Sequence, residues 1–373
     1  MADAPTGVPP LQGDSTTKTE NSSALKPGAV VQAAGGQRVQ GDQPAARTST
    51  PSSDPRPATN PAGPTSPSKA AASFVIPSKR PPLPYFKGLF YGDYGSGKTY
   101  LCGTAVEVPA MRDVLMISAE AGELTLYDPD GKYPFHLIDT VRATDYKTIA
   151  RIYDFLKFHC QLRDLANSNT DARDRLIKLQ KVVMPDMVDG ERIREYRTVI
   201  IDSLTEAEAY CMAQLLGVND ATKMDEEVQA AEWAEYRKQH TMIHRMVRNF
   251  RDLPTHTLFT AARAYIQDES KRQIYSPMMT GKLSSQVQGF MDLVGYLVVG
   301  QPGEDNQPLP RRLYVQPAPR FAAKSRLSKY KGAHFDNPTM HSILSNVGLL
   351  PKGDVSATTS TSATATVNPS RAA

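Results

Sequence analysis

The chain has 373 residues, with 43 Lys and Arg against 39 Asp and Glu, a formal net charge of +4. Residues 1–80 hold eight basic and five acidic side chains and residues 352–373 two and one, leaving 33 of each sign in 81–351. That neutral core excludes nucleic-acid binding by bulk charge, so any such surface has to be local; no apolar run approaches the ~18 residues of a membrane span, and no apolar signal core opens the chain.

Residues 1–80 are rich in Pro, Ser, Thr, Ala and Gly, and residues 352–373 in Ser, Thr and Ala. Such compositions bury too little apolar surface to offset the entropy of ordering, so both are expected to be disordered tails around one domain at 81–351. Residues 85–91 read as a buried strand, and 100–106 can continue as a helix. Between them lies Gly92-Asp93-Tyr94-Gly95-Ser96-Gly97-Lys98-Thr99, of the form G-x-x-x-x-G-K-[ST]. Strands are expected at 114–118 and 135–138, then a helix over 144–164. The charged stretch 163–197 predicts an exposed helical insertion with a solvated face.

A strand at 198–203 ends on Asp202, followed by a helix from Leu204 to about 216. A longer helix is expected over 226–250, containing the single Trp233 and stopped by Pro254. Then come a strand at 256–261, a polar loop at 267–288, and a strand pair, 293–299 and 312–315, around a turn with Pro302 and Gly303. A last helix, 340–347, ends at Gly348 with Pro351 beyond. Strands alternating with helices predict an α/β domain, a mainly parallel central sheet with helices on both faces. Cys102, Cys160 and Cys211 stand singly, without zinc or disulfide spacing, and read as buried reduced thiols of a cytoplasmic protein.

The glycine loop carries the most chemistry. Gly92, Gly95 and Gly97 let backbone N–H groups turn inward around a polyphosphate, with Asp93, Tyr94, Ser96 and Tyr100 completing the contact set. Lys98 reaches the β- and γ-phosphates of ATP, Thr99 ligates Mg²⁺, and the helix starting near Lys98 points its positive end at the same anion. Asp202, at the C-terminal edge of the sheet, is either a helix cap or the acid that holds Mg²⁺; the loop favours the metal role. Glu120, just past the neighbouring strand, is a candidate base for the attacking water, with Glu123 as competitor.

With these residues in place, the chain resembles the RecA-like P-loop ATPases, and within them the AAA-type ATPases of bacteriophages that act as single-strand annealing or recombination proteins. Four stretches carry the resemblance: 91–99, 116–120, Asp202-Ser203-Leu204-Thr205-Glu206 with the strand before it, and Ala323-Lys324-Ser325-Arg326. The resemblance implies that Glu120 is the catalytic base. It sets Tyr127 against the adenine, with core packing as the alternative. It puts Thr260 at the γ-phosphate sensor, although Ala261 stands where Gln is usual. It implies that Lys324 and Arg326 reach the nucleotide of a neighbouring subunit in a homo-oligomer, with Ser325 replacing the usual Asp.

Residues 311–331 hold Arg311, Arg312, Arg320, Lys324, Arg326, Lys329 and Lys331 with no acid, interleaved with Tyr314, Phe321 and Tyr330. This suits single-stranded DNA, or is a basic surface over core aromatics. The leading reading is a Mg²⁺-dependent ATPase of phage recombination, in the host cytoplasm, that binds single-stranded DNA and promotes annealing or strand exchange. The alternatives are an ATPase for protein remodelling or helicase loading, and a nucleotide switch without DNA.

Overall fold

The computed structural model describes residues 85–127, 131–183, 192–219, 221–267, 271–300, 310–327 and 329–350. All belong to one unit, Val75–Ala373; the other, Met1–Phe74, and the proposed tails lie outside the described residues, as does the turn at Pro302 and Gly303.

Apolar residues spaced for burial on two faces set the first half. β1 (Lys87–Gly92) is buried along its length. Leu89 and Tyr91 enter one core, while Phe90, with Phe86 just ahead of the strand, enters the other, as the two-residue period of a strand requires. The loop then leads into α1 (Lys98–Gly103), followed by β2 (Val114–Ser118). β3 (Ile138–Arg142) starts three residues later than the sequence predicts. Phe135 is buried instead in a tight turn, where the Leu137 N–H meets the Pro134 carbonyl at 3.0 Å.

α2 (Tyr146–Ala166) is N-capped by Asp145, whose carboxylate accepts the Thr148 N–H at 2.6 Å. It packs against α3 (Thr170–Val183), whose Ala172, Leu176 and Gln180 are buried. The expected solvated insertion is thus partly internal. Arg163 is 2% exposed and donates to the carbonyls of Tyr196 and Pro254, both at 2.9 Å. Residues 184–191 of that insertion lie outside the described set.

β4 (Thr198–Asp202) and α4 (Leu204–Leu215) follow. α5 (Trp233–Asp252) begins seven residues later than predicted; the Glu235 carboxylate accepts the Glu232 N–H at 3.2 Å and defines the start. β5 (His256–Gln267) runs well beyond Ala261 and turns back as β6 (Gln273–Pro277), and α6 (Leu283–Phe290) follows. The predicted polar loop at 267–288 is therefore mostly hairpin and helix, with only 268–270 outside the described residues. Polar Arg263 and Gln267 hid the extension, because the hairpin is half exposed and lacks an apolar run. β7 (Leu293–Val299), β8 (Arg311–Tyr314), β9 (Lys324–Ser325), β10 (His334–Asp336) and α7 (Met340–Asn346) complete the described elements.

The sheet order is β10-β8-β7-β1-β5-β4-β2-β3, with β6 beside β5 and β9 beside β7. From β7 to β3 every neighbour is parallel, while β8, β9 and β10 form an antiparallel margin. One core joins the sheet to α2, α4, α5 and α6, and the other joins it to α1 and α7. The C-terminal ends of β1, β2, β4 and β5 therefore meet at one edge, where open parallel sheets bind ligands.

Candidate functional site

The loop after β1 is shaped by its glycines. Gly95 and Gly97 have φ of +73° and +94°, a region side chains avoid, and a Cβ on Gly92 would strike the Leu297 carbonyl of β7. Lys98 is 5% exposed and folds back over the loop, its Nζ donating to the carbonyls of Asp93 at 2.8 Å and Gly92 at 3.2 Å. Burial lowers its pKa, while Glu120, Asp202 and Asp93 oppose that shift. The buried Ser96 hydroxyl has no partner among the described residues. α1 is six residues long.

Asp202 is fully buried at the end of β4. One carboxylate oxygen accepts the Thr99 hydroxyl at 2.7 Å and the other that of Thr260 on β5. Thr260, expected as a phosphate sensor, thus spends its hydroxyl on the acid. The Asp202 carbonyl accepts the N–H groups of Ala119 at 2.6 Å and Glu120 at 3.2 Å, which ties the end of β2 to β4. The Glu120 carboxylate accepts the Ser203 hydroxyl. Burial raises the Glu120 pKa and the Ser203 bond draws it down, with Asp202 raising it further. Its competitor Glu123 is engaged elsewhere, bonded to Arg142 at 3.1 and 3.3 Å.

Two cations beside the loop escaped the sequence reading in this role. Arg263, one residue past the Gly92–Ala262 pairing, forms an ion pair with Asp93, donates to the Tyr296 hydroxyl at 3.0 Å, and lies 4.5 Å from the Tyr275 ring. The only signal was its place three residues beyond Thr260, on a strand taken to end at Ala261. Arg311 lies 5.3 Å over the ring of Tyr100 and beside Gly97; the sequence had grouped it with the basic run.

Tyr127 is exposed and lines a cavity of about 470 Å³ with Glu123, Leu126, Tyr133, Phe135 and His136. Tyr100 meets the rings of Tyr133 and Phe135 edge-on at 5.5 and 5.4 Å, joining this cavity to the phosphate loop. Core packing is thereby removed as the account of Tyr127.

Lys324 and Arg326 are not brought to the loop of their own chain. β9 pairs with Leu293 and Val294 at the start of β7, whereas Gly92 pairs with Leu297. Lys324 Nζ donates to the carbonyls of Gln288 and Gly289 at 2.9 and 3.0 Å, and Arg326 donates to Gly289 at 2.6 Å, so both close the C-terminal end of α6. The rest of the basic run is dispersed. Tyr314 and Phe321 pack together at 4.9 Å, Tyr330 stacks on Phe335 at 4.1 Å, and Arg312 pairs with Asp336 at 2.7 Å.

These residues fit a nucleoside triphosphate with Mg²⁺. A glycine cradle, a lysine hydrogen-bonded to two loop carbonyls, a buried hydroxyl without a partner among the described residues and a threonine–aspartate pair converge at one edge. Among the described residues no cluster of three His, Cys, Asp or Glu forms a separate metal site. No helix among the described residues is long and apolar enough to cross a membrane.

A parallel sheet with the phosphate loop after β1, the acid on β4 and β5 between them defines a RecA-like P-loop ATPase fold. The chain belongs to the family described as AAA domain, which matches residues 85–327. Among solved structures, the flagellar accessory protein FlaH from Methanocaldococcus jannaschii aligns with 68% of this chain and 85% of its own, at 11% identity and a TM-score of 0.33. The RadB recombinase aligns with 61% of this chain and 79% of its own, at 15% identity and a TM-score of 0.30. No curated protein matches the chain.

Proposed function

We propose that this protein binds ATP with Mg²⁺ at the phosphate loop, hydrolyses it, and works on single-stranded DNA as a homo-oligomer, promoting annealing or strand exchange in recombination or repair. The observation that carries hydrolysis is Glu120, a half-buried carboxylate fixed beside Asp202 through backbone and Ser203 bonds.

Lys98 exchanges the Asp93 and Gly92 carbonyls for β- and γ-phosphate oxygens. Thr99 and Asp202 would hold the metal, with Asp202 oriented by the Thr260 hydroxyl. The chemistry a bound Mg²⁺ supplies is neutralisation of charge on the phosphate oxygens. Glu120 orients a water in line with the γ-phosphate and takes its proton, and its raised pKa makes it a better base than an exposed glutamate. Arg263 adds a cation beside Asp93 at the same edge. The cavity at Tyr127 receives the base.

Support for DNA is the resemblance carried by the Asp202–Glu206 run and the presence of local cationic surface on a neutral core. For Lys324 and Arg326 to serve a neighbour's nucleotide, they must leave the Gln288 and Gly289 carbonyls on assembly. The deciding measurement is ATP turnover with and without oligo-dT. Stimulation is expected; neither binding nor stimulation would sink the recombination reading and leave protein remodelling or helicase loading in its place.

A further inference from the structure

α5 turns one face to the core, through Gln239, Ile243, Met246, Val247 and Phe250. Its outer side carries Arg237, Arg245 and Arg248, which are exposed, with Arg251 at its flank. No carboxylate among the described residues forms an ion pair with Arg237, Arg245 or Arg248, whereas Arg251 has Asp252 at 2.6 Å. An exposed arginine needs no partner, but several in one line on a neutral domain make a local positive field.

The line continues onto α6. The Phe290 ring lies 5.1 Å from the guanidinium carbons of both Arg248 and Arg251, and His244 meets it edge-on at 5.0 Å. Arg326 is bonded to the carbonyl of Gly289, the residue before this ring. The field is felt by His244, whose pKa is lowered first by burial and then by Arg248, His240 and Arg251. Arg326 also lies 4.0 Å from the Asp292 carboxylate, so the open charge here is that of Arg248 on one half-buried ring, a surface that an anion completes.

We propose that the outer side of α5, extended by Phe290 and Arg326, is a track for the phosphate backbone of a single-stranded nucleic acid. This rests on the DNA reading above and moves the contact surface from residues 311–331 to a different face. Arg237 to Arg251 spans about 21 Å at 1.5 Å per residue, enough for a short site of ~4 nucleotides. A single row of cations suits one strand, and the Phe290 ring holds the Arg248 and Arg251 guanidiniums in that row. A lipid surface fits poorly, because the apolar side of α5 is spent on the core.

The test is anisotropy of fluorescein-labelled oligo-dT with the full chain, titrated with salt. Arg245→Ala/Arg248→Ala is expected to weaken binding at least ~10-fold near 0.1 M salt and to flatten the log–log salt slope by about 1.4, at ~0.7 per cation removed. Arg248→Lys should keep the slope. Phe290→Ala should weaken binding about 5-fold or more with the slope nearly unchanged, because it removes the ring that positions Arg248 and Arg251 and removes no charge. ATP turnover without DNA should stay at the wild-type value in the double variant, which shows that it folds. A double variant with wild-type affinity and slope overturns the track, as does equal binding of duplex, or retention on phosphatidylserine vesicles in place of oligo-dT. Absence of binding by the wild type overturns the DNA reading itself, a different result from wild-type binding that the variants do not change.

Discussion

The two ends of the parallel strands treat charge differently. At the C-terminal ends, buried charges keep partners: Lys98 has two carbonyls, Asp202 two hydroxyls, Glu120 the Ser203 hydroxyl, and Arg263 the Asp93 carboxylate. At the N-terminal ends, burial favours the uncharged forms of His256 and Lys87, with Lys87 Nζ still donating to the carbonyls of Leu253, at 2.9 Å, and Thr255. Burial pushes His256 down to about 4 and Lys87 down to about 7, and the unpaired cations lie outside, on α5. A site that does chemistry has to pre-align charge in a poorly hydrated place, where an unpartnered ion is costly. A surface that grips and releases a polyanion works in water, where an unpaired cation costs little and its partner can leave.

The sharpest way to break this contrast is Glu120→Gln. It should leave ATP affinity intact and lower kcat by about 10²–10⁴-fold, measured as steady-state phosphate release. If turnover survives, Glu120 is not the base, and another group at the paired end activates the water.

Acid should next separate the two ends. His256 Nδ1 accepts the Phe86 N–H at 3.0 Å, so a proton there breaks a bond that ties β5 to β1. His159, beneath α3, is likewise held down to about 4 by burial. Both folded pKa values lie below the unfolded ~6.5, so their stabilisation is complete above pH ~6.5 and is lost as pH falls towards 4. The loss should reach on the order of 3 kcal/mol for each ring, read from urea midpoints between pH 7 and 4. A flat profile would place neither ring in a desolvated neutral state.

Lys98→Ala removes the one cation poised for transfer from carbonyls to phosphates. ATP affinity should fall by about 2 kcal/mol, or roughly 30-fold, by calorimetry. Unchanged affinity would mean that the loop does not bind the triphosphate.

The smallest effect should come from Ser203→Ala. Ser203 caps α4, accepting the Glu206 N–H at 3.4 Å, and also bonds Glu120. Stability should drop by about 1 kcal/mol. Because the Ser203 bond lowers the Glu120 pKa, its loss should move the acid limb of the ATPase profile to higher pH. A stability change with an unmoved limb would make Ser203 a cap alone.

The phosphate loop, Asp202 and five parallel strands were legible because each is local: glycine spacing, or a short apolar run closed by an acid. Where polarity is mixed, periodicity failed. The hairpin of β5 and β6 read as loop because its exposed side carries Arg263, Tyr265 and Gln267. α5 was extended too far upstream because residues 226–232 are good helix formers that, in the fold, have nothing to pack on. The cations of 311–331 looked like one surface, yet they part to the phosphate loop, to Asp336 and to the end of α6.

By itself the sequence determined that a triphosphate loop exists, which residues form it, and which strand carries the acid, since backbone bending and strand burial depend on neighbours in the chain. Only the tertiary structure decided the partners of each charge: that Thr260 orients Asp202, that Arg263 and Arg311 stand at the loop, and that Lys324 and Arg326 do not. Those choices are made between residues far apart in sequence, where the approach of strands and helices, and not composition, sets which ion meets which.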